Sequence, residues 1–179
     1  LFINQTLPFN EYDVDELLRF AREGNHVFLA TQELPYYLED TLGIAIEYGI
    51  VDNPKYTYLV DTTRLVFNHP DFQGSSFSLP MKRLQYHIDL SYSHDIDTLV
   101  KSTSGEVYAF RKSIGEGSIY ISSLPHIFTN YYLLKDEKVA IVNHLFSYLP
   151  ESSELWWDEY YKIEHLKRAR RRDRSSSSS

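Results

Sequence analysis

Residues 20–31 read FAREGNHVFLAT, and the fold turns on how they are divided. Gly24 supplies a helix stop. HVFLA at 26–30 then runs without a polar interruption, which marks a strand buried on both faces. Upstream, NEYDVDELLRFAREGN (10–25) carries helix punctuation. Leu17, Leu18, Phe20 and Ala21 form an apolar stripe, and Asp13 and Glu16 have the spacing of a capping box. LFIN (1–4) opens the chain as a short strand. Strand, helix and strand joined by short turns predict a βαβ unit with parallel neighbours.

Beyond this unit, PYYLEDTLG (35–43) predicts a short helix opened by Pro35 and ended by Gly43. From 44 to 112 the period changes. TRLVFN (63–68), MKRLQYHIDLSY (81–92), DTLVKS (97–102) and EVYAFRKS (106–113) are strand-like, and IGEG (114–117) supplies a glycine hairpin into SIYISSL (118–124). In the second of these, Leu84, Tyr86, Ile88, Leu90 and Tyr92 alternate with Arg83, Gln85, His87 and Asp89, the pattern of a half-exposed strand. DEKVAIVNHLFSYL (136–149) returns to helical spacing, with Val139, Val142, Phe146 and Leu149 on one face and Leu145 beside them. Residues 1–150 thus read as one three-layer α/β domain whose mixed sheet has a parallel core and an antiparallel, β-rich section at 44–112. Residues 151–166 form an aromatic and acidic closing segment, and 167–179 a basic, serine-rich linker that composition marks as disordered.

The chain has no cysteine, which removes thiolate nucleophiles, disulfides and sulfur-ligated zinc. KRARRRDR (167–174) holds six of the chain's 18 basic residues and one of its 25 acids, leaving 12 basic against 24 acidic residues in 1–166. An acidic body argues against nucleic acid as a partner. No apolar run reaches the roughly 18 residues of a membrane helix. The first residue is leucine, and the expectation is a piece of a longer chain.

In an open α/β sheet, ligands favour the crevice past the carboxyl ends of the strands. Asn4, Gln32, Glu33 and His126 fall there, and Glu33 with His126 are an available base and acid for a hydrolase. Against this stands ordinary duty in capping and turn backbone. His87 and Asp89 share a strand face, with His94, Asp95 and Asp97 following, and are the weak candidates for a metal. A solvated strand face explains them equally, and neither metal nor cofactor is expected. ELWWDEYYK (154–162) places Trp156, Trp157, Tyr160 and Tyr161 beside the basic run. They read as a partner-docking patch, as a belt at a bilayer interface, or as a strand sealing the sheet with one tryptophan buried. The last is the favoured expectation for the tryptophans.

FAREGNHVFLAT and GEGSIYISSLP (115–125) resemble elements of the class I glutamine amidotransferase-like (flavodoxin-like) fold. The ordered set FIN, REGNHVFLA, TLG, GEGSIYISSLPHIFTNYYLL and WWDEYYK is similar to an uncharacterised bacterial family defined as a domain of unknown function. PHIFTNYYLL and WDEYYK are its most specific parts. The resemblance implies an α/β domain set between two transmembrane helices, on the extracytoplasmic side of the bacterial cell membrane. Its partners would be another protein or the neighbouring transmembrane segments of the same chain. The implied scaffold comes without the cysteine of the amidotransferase enzymes, and no G-x-S-x-G elbow replaces it. The expected function is therefore non-enzymatic interaction with a ligand or protein, with the Glu33–His126 hydrolase as the alternative. A basic flank by itself is the mark of a cytoplasmic loop; the resemblance takes precedence in this reading.

Overall fold

The computed structural model describes residues 1–49, 62–72, 76–80, 86–134, 136–151 and 154–158. The sheet is built from β1 (Phe2–Ile3), β2 (His26–Ala30), β3 (Ala45–Tyr48), β4 (Thr62–Phe67), β5 (Ser76–Pro80), β6 (Tyr86–Asp89), β7 (Ile96–Ser102), β8 (Val107–Ile114) and β9 (Gly117–Ser122). The helices are α1 (Glu11–Arg22), α2 (Tyr36–Leu42), α3 (Asn130–Leu133) and α4 (Asp136–Phe146). The main order is β1-β2-β9-β8-β7-β4-β5, with β6 joined to β8 and β3 to β6. β1, β2 and β9 are mutually parallel; the remaining pairings are antiparallel.

FAREGNHVFLAT divides where the sequence divides it. Val14, Leu17, Leu18 and Ala21 of α1 are buried at positions i, i+3, i+4 and i+7. Phe20 falls out of that phase and is 49% exposed, so it does not belong to the stripe. The helix also begins one turn earlier than the Asp13–Glu16 spacing suggests. Asn10 is the N-cap: its side chain accepts from Asp13 N while the Asp13 carboxylate accepts from Asn10 N, each at 3.0 Å. Glu16 is instead drawn to Arg19 at 2.6 Å. Past Gly24 (φ +94°), Asn25 turns its amide back to the Phe20 carbonyl at 3.0 Å, satisfying an end-of-helix acceptor before β2 begins.

Helices cover both faces of the sheet. One core sets Val14, Leu17, Leu18 and Ala21 of α1 and Leu38 and Leu42 of α2 against Val27, Leu29, Ile119, Ile121, Phe110 and Ile88. The other sets Ile141, Val142 and Leu145 of α4, with Leu124, Ile127 and Tyr132, against Phe28, Ala30, Val100, Tyr108 and Tyr120. Successive β2 residues feed opposite cores, which is why its run is continuously apolar. Burying each such large side chain contributes roughly 1.5–3 kcal/mol. α4 stops at Phe146, four residues before Pro150. Ile141, which the expected apolar face omits, is among its most buried residues.

The closing segment lies along the outer edge of β1. Leu1 N donates to the Trp156 carbonyl at 2.8 Å, and Asp158 N donates to the Leu1 carbonyl at 3.1 Å. The main chain therefore does close the sheet edge. The expected burial of one tryptophan is wrong: Trp156 is 77% and Trp157 47% exposed. The segment is held by main-chain hydrogen bonds, which fix an edge strand without by themselves burying its side chains. Tyr160, Tyr161 and the basic linker, like residues 81–85, lie outside the described residues.

Candidate functional site

β9 ends at Ser122, and β6 takes over its place alongside β8. β8 pairs with β9 through Ala109–Ser122 and with β6 through Ile88–Val107, while its other edge is held by β7. Ser123 Oγ donates to the Tyr86 carbonyl at 2.8 Å and fastens the changeover. β6 then pairs with β3, setting His87 directly opposite Glu47 and Asp89 opposite Ala45. Ile46 and Ile88 turn to the α1–α2 core, so the alternation leaves Glu47, His87 and Asp89 on the outer face. The turn before β8 brings Gly105 and Glu106 to the same place.

The result is an open cleft of about 350 Å³ lined by Glu47, His87, Asp89, Ser91, Glu106 and neighbouring backbone. His87 Nε2 lies 3.4 Å from Glu47 Oε2. Asp89 Oδ1 accepts from the Ser91 hydroxyl at 2.5 Å and from Ser91 N at 2.9 Å. These two bonds hold its carboxyl below the usual range, and His87 lowers it further. Glu106 accepts from the hydroxyls of Ser102 and of Ser104, the latter at 2.6 Å, and is likewise held low, with a smaller contribution from His87. Ser102, itself buried, also accepts from Gly105 N and Glu106 N at 3.1 Å, so the turn is wound around its hydroxyl. Three carboxylates and one imidazole thus line the same cleft, two of the carboxylates fixed by donors that favour the charged form.

The residues expected at the strand ends are placed differently. Asn4 Oδ1 accepts from Gln5 N at 2.9 Å, and Gln32 N donates to the Gln5 carbonyl at 2.9 Å. The Thr31 hydroxyl lies 2.9 Å from the Gln5 carbonyl and 2.8 Å from that of Glu33, tying the two loops together. The Glu33 main chain bridges to Thr6, and its side chain is exposed without a hydrogen-bond or ionic partner among the described residues. His126 sits in the 3-10 turn Pro125–Phe128, with its ring edge-on to Tyr132 at 5.4 Å. Asn4 thus spends its side chain on its own loop, Gln32 and Glu33 act there through the main chain, and His126 packs on Tyr132. His87 and Asp89, in contrast, do share a cleft, although no group of three or more His, Cys, Asp or Glu among the described residues is arranged to hold a metal ion. Glu47 and Glu106 escaped the sequence reading. Only the alternation in AIEY (45–48) and the turn TSGE (103–106) signalled them, and neither shows that the two meet across β6.

The family described as Domain of unknown function (DUF4350) matches residues 1–145, and the chain belongs to it. No curated protein matches the sequence significantly. Among solved structures, the mmIFT52 N-terminal domain is similar with a TM-score of 0.55 at 15% identity, over 82% of this chain and 75% of that one. That is a likeness of fold alone. A β-galactosidase from Bacillus circulans sp. alkalophilus matches at TM-score 0.49 and 12% identity, over 82% of this chain and 22% of its own. The exo-β-1,4-mannosidase Op5Man5 from Opitutaceae bacterium strain TAV5 matches at 0.48 and 11%, over 85% and 24%. The chain spans less than a quarter of either enzyme. Among the described residues, no helix is long and apolar enough to cross a membrane.

Proposed function

We propose that this chain is a non-enzymatic interaction domain of a bacterial membrane protein, placed on the extracytoplasmic side and built on an amidotransferase-like (flavodoxin-like) scaffold. Its binding surface is the cleft between β3, β6 and β8, and the ligand or protein segment it takes presents a cationic group. The observation that carries this reading is the convergence of Glu47, Asp89 and Glu106 around His87 in one concave surface. Hydroxyl and amide donors favour the charged forms of Asp89 and Glu106, so a guanidinium or ammonium entering the cleft meets fixed negative charge. The three-strand parallel core with helices on both faces supports the scaffold reading, and the absence of cysteine from the chain removes that scaffold's usual nucleophile. Membrane placement rests on the sequence resemblance.

The test is titration with arginine methyl ester and with spermidine, followed by amide chemical shifts. Shifts are expected at residues 47, 87–91 and 105–107, with none for acetate. A D89N/E106Q variant loses at least about fivefold in affinity, the scale of one exposed charge pair. Equal response to acetate, or shifts elsewhere only, defeats the reading.

A further inference from the structure

His87 stands in the cleft between β3, β6 and β8 among groups of opposite charge. From β3, the register sets Glu47 directly across from it, and His87 Nε2 lies 3.4 Å from Glu47 Oε2. From its own strand, Asp89 shares its face two residues on. From the turn before β8, Glu106 lines the same cleft. The imidazole is felt by both of these acids, since His87 contributes to the lowering of the Asp89 and Glu106 carboxyls. Tyr108 of β8, pushed up to about 12 by burial and then by the Glu106 charge, stays neutral below that value. Among the described residues, no lysine or arginine lines the cleft.

The His87 side chain is 26% exposed and that of Glu47 55%, so protons reach the pair from solvent. Histidine is the side chain whose charge ordinarily changes between pH 5 and 8. A neutral ring leaves the three carboxylates of the lining with a formal charge of −3; a protonated ring brings it to −2. The imidazolium also lies against Glu47 and takes up the acceptor that an entering guanidinium or ammonium would use. The serine donors hold the Asp89 and Glu106 carboxyls low, so acidification into the histidine range charges the ring and leaves these two acids ionised. One group in the cleft therefore changes state while Asp89 and Glu106 do not.

We propose that His87 is an internal competitor for the cationic ligand of the cleft: protonation of its ring weakens ligand binding, and deprotonation restores it. The inference rests on the cation-binding reading of the cleft and adds its regulation.

The probe is N-acetylarginine methyl ester, whose single guanidinium charge is constant over the range used. Its affinity, read from amide shifts at residues 87–91 and 105–107, is expected to fall at least about threefold from pH 8 to pH 5.5. In His87→Gln that ratio shrinks below about 1.5-fold, and His87→Lys, charged at both pH values, binds weakly at both. Ester added to the parent near neutral pH moves the His87 ring signals toward their high-pH positions, because the coupling of ligand and proton is reciprocal. Far-ultraviolet circular dichroism shows whether the variants are folded; the parent's ratio and ring signals need no variant. Equal affinity of the parent at the two pH values, an undiminished ratio in folded H87Q, or unmoved ring signals overturns the proposal. Binding that ignores pH removes the regulation and leaves the cleft reading standing, whereas no binding at either pH removes both.

Discussion

At the scale of single residues, the two glycine motifs of the sequence turn out to be two sides of one contact. The end of α1 lies on the β8–β9 hairpin: Glu116 N donates to the Arg22 carbonyl at 3.3 Å and Ser118 N to that of Asn25 at 3.2 Å. A Cβ at Gly117 would fall 2.0 Å from Asn25 O and 2.4 Å from Ala21 O, both backbone atoms that cannot swing aside. Gly117→Ala is therefore expected to cost at least about 2 kcal/mol, at the upper end of ordinary overpacking. Gly105 is the informative comparison. A Cβ there meets nothing within 4 Å, but its φ of +108° disfavours any side chain. Gly105→Ala carries only that conformational penalty, about 1 kcal/mol. Urea midpoints should rank G117A below G105A and both below the parent; the reverse order would mean that the helix does not rest on the hairpin.

At the scale of elements, α1 shows what the sequence conceals. Asp13–Glu16 and Asn10–Asp13 have the same three-residue spacing, and periodicity does not choose between them. The structure places the cap at Asn10, so that Val14 falls within the first full turn and reaches the core three residues before Leu17. Asn10→Ala removes the side-chain half of the capping box and is expected to cost about 1 kcal/mol, whereas Asn10→Gly costs only a few tenths. Equal losses in thermal denaturation would show that the side chain does not cap. The same distinction governs what else was legible. β2, α2 and the β8–β9 hairpin carry their own punctuation and stand where it puts them. The cleft depends on pairing at a distance: β6 must replace β9 beside β8 before Glu47 and Glu106 meet His87. No local pattern in the sequence encodes that changeover. The strand-end rule pointed to the loops of β1, β2 and β9, whereas the cleft is lined by β3, β6 and the turn before β8. Trp156 and Trp157 misled for a related reason, since an aromatic in an extended segment does not announce whether a layer covers it.

At the scale of the whole molecule, the shifted side chains bound the pH range of stability from both sides. Glu106 and Asp89 have folded-state carboxyls held below the ordinary range by serine donors. Their contribution is present above the unfolded carboxylate range and is lost as pH falls through the lowered folded values. Tyr108 is pushed up to about 12 by burial and then by the Glu106 charge, and Tyr148 to about 12 by burial, its hydroxyl donating to the Leu99 carbonyl at 3.0 Å. A phenol raised from 10.0 stabilises the fold fully below that value. The contribution is lost as pH rises from there through about 12, because the unfolded chain releases its proton first. Ultraviolet titration of the folded protein should therefore show Tyr108 and Tyr148 among the tyrosines that ionise late, close to alkaline unfolding. Glu106→Gln links the two limits. It removes the acid-side contribution of Glu106 and also the charge that opposes ionisation of Tyr108, so one late tyrosine should titrate earlier while Tyr148 stays in place. If Tyr108 and Tyr148 move together, the effect is a general loosening of the fold. If neither moves, Glu106 does not act on Tyr108 through its charge.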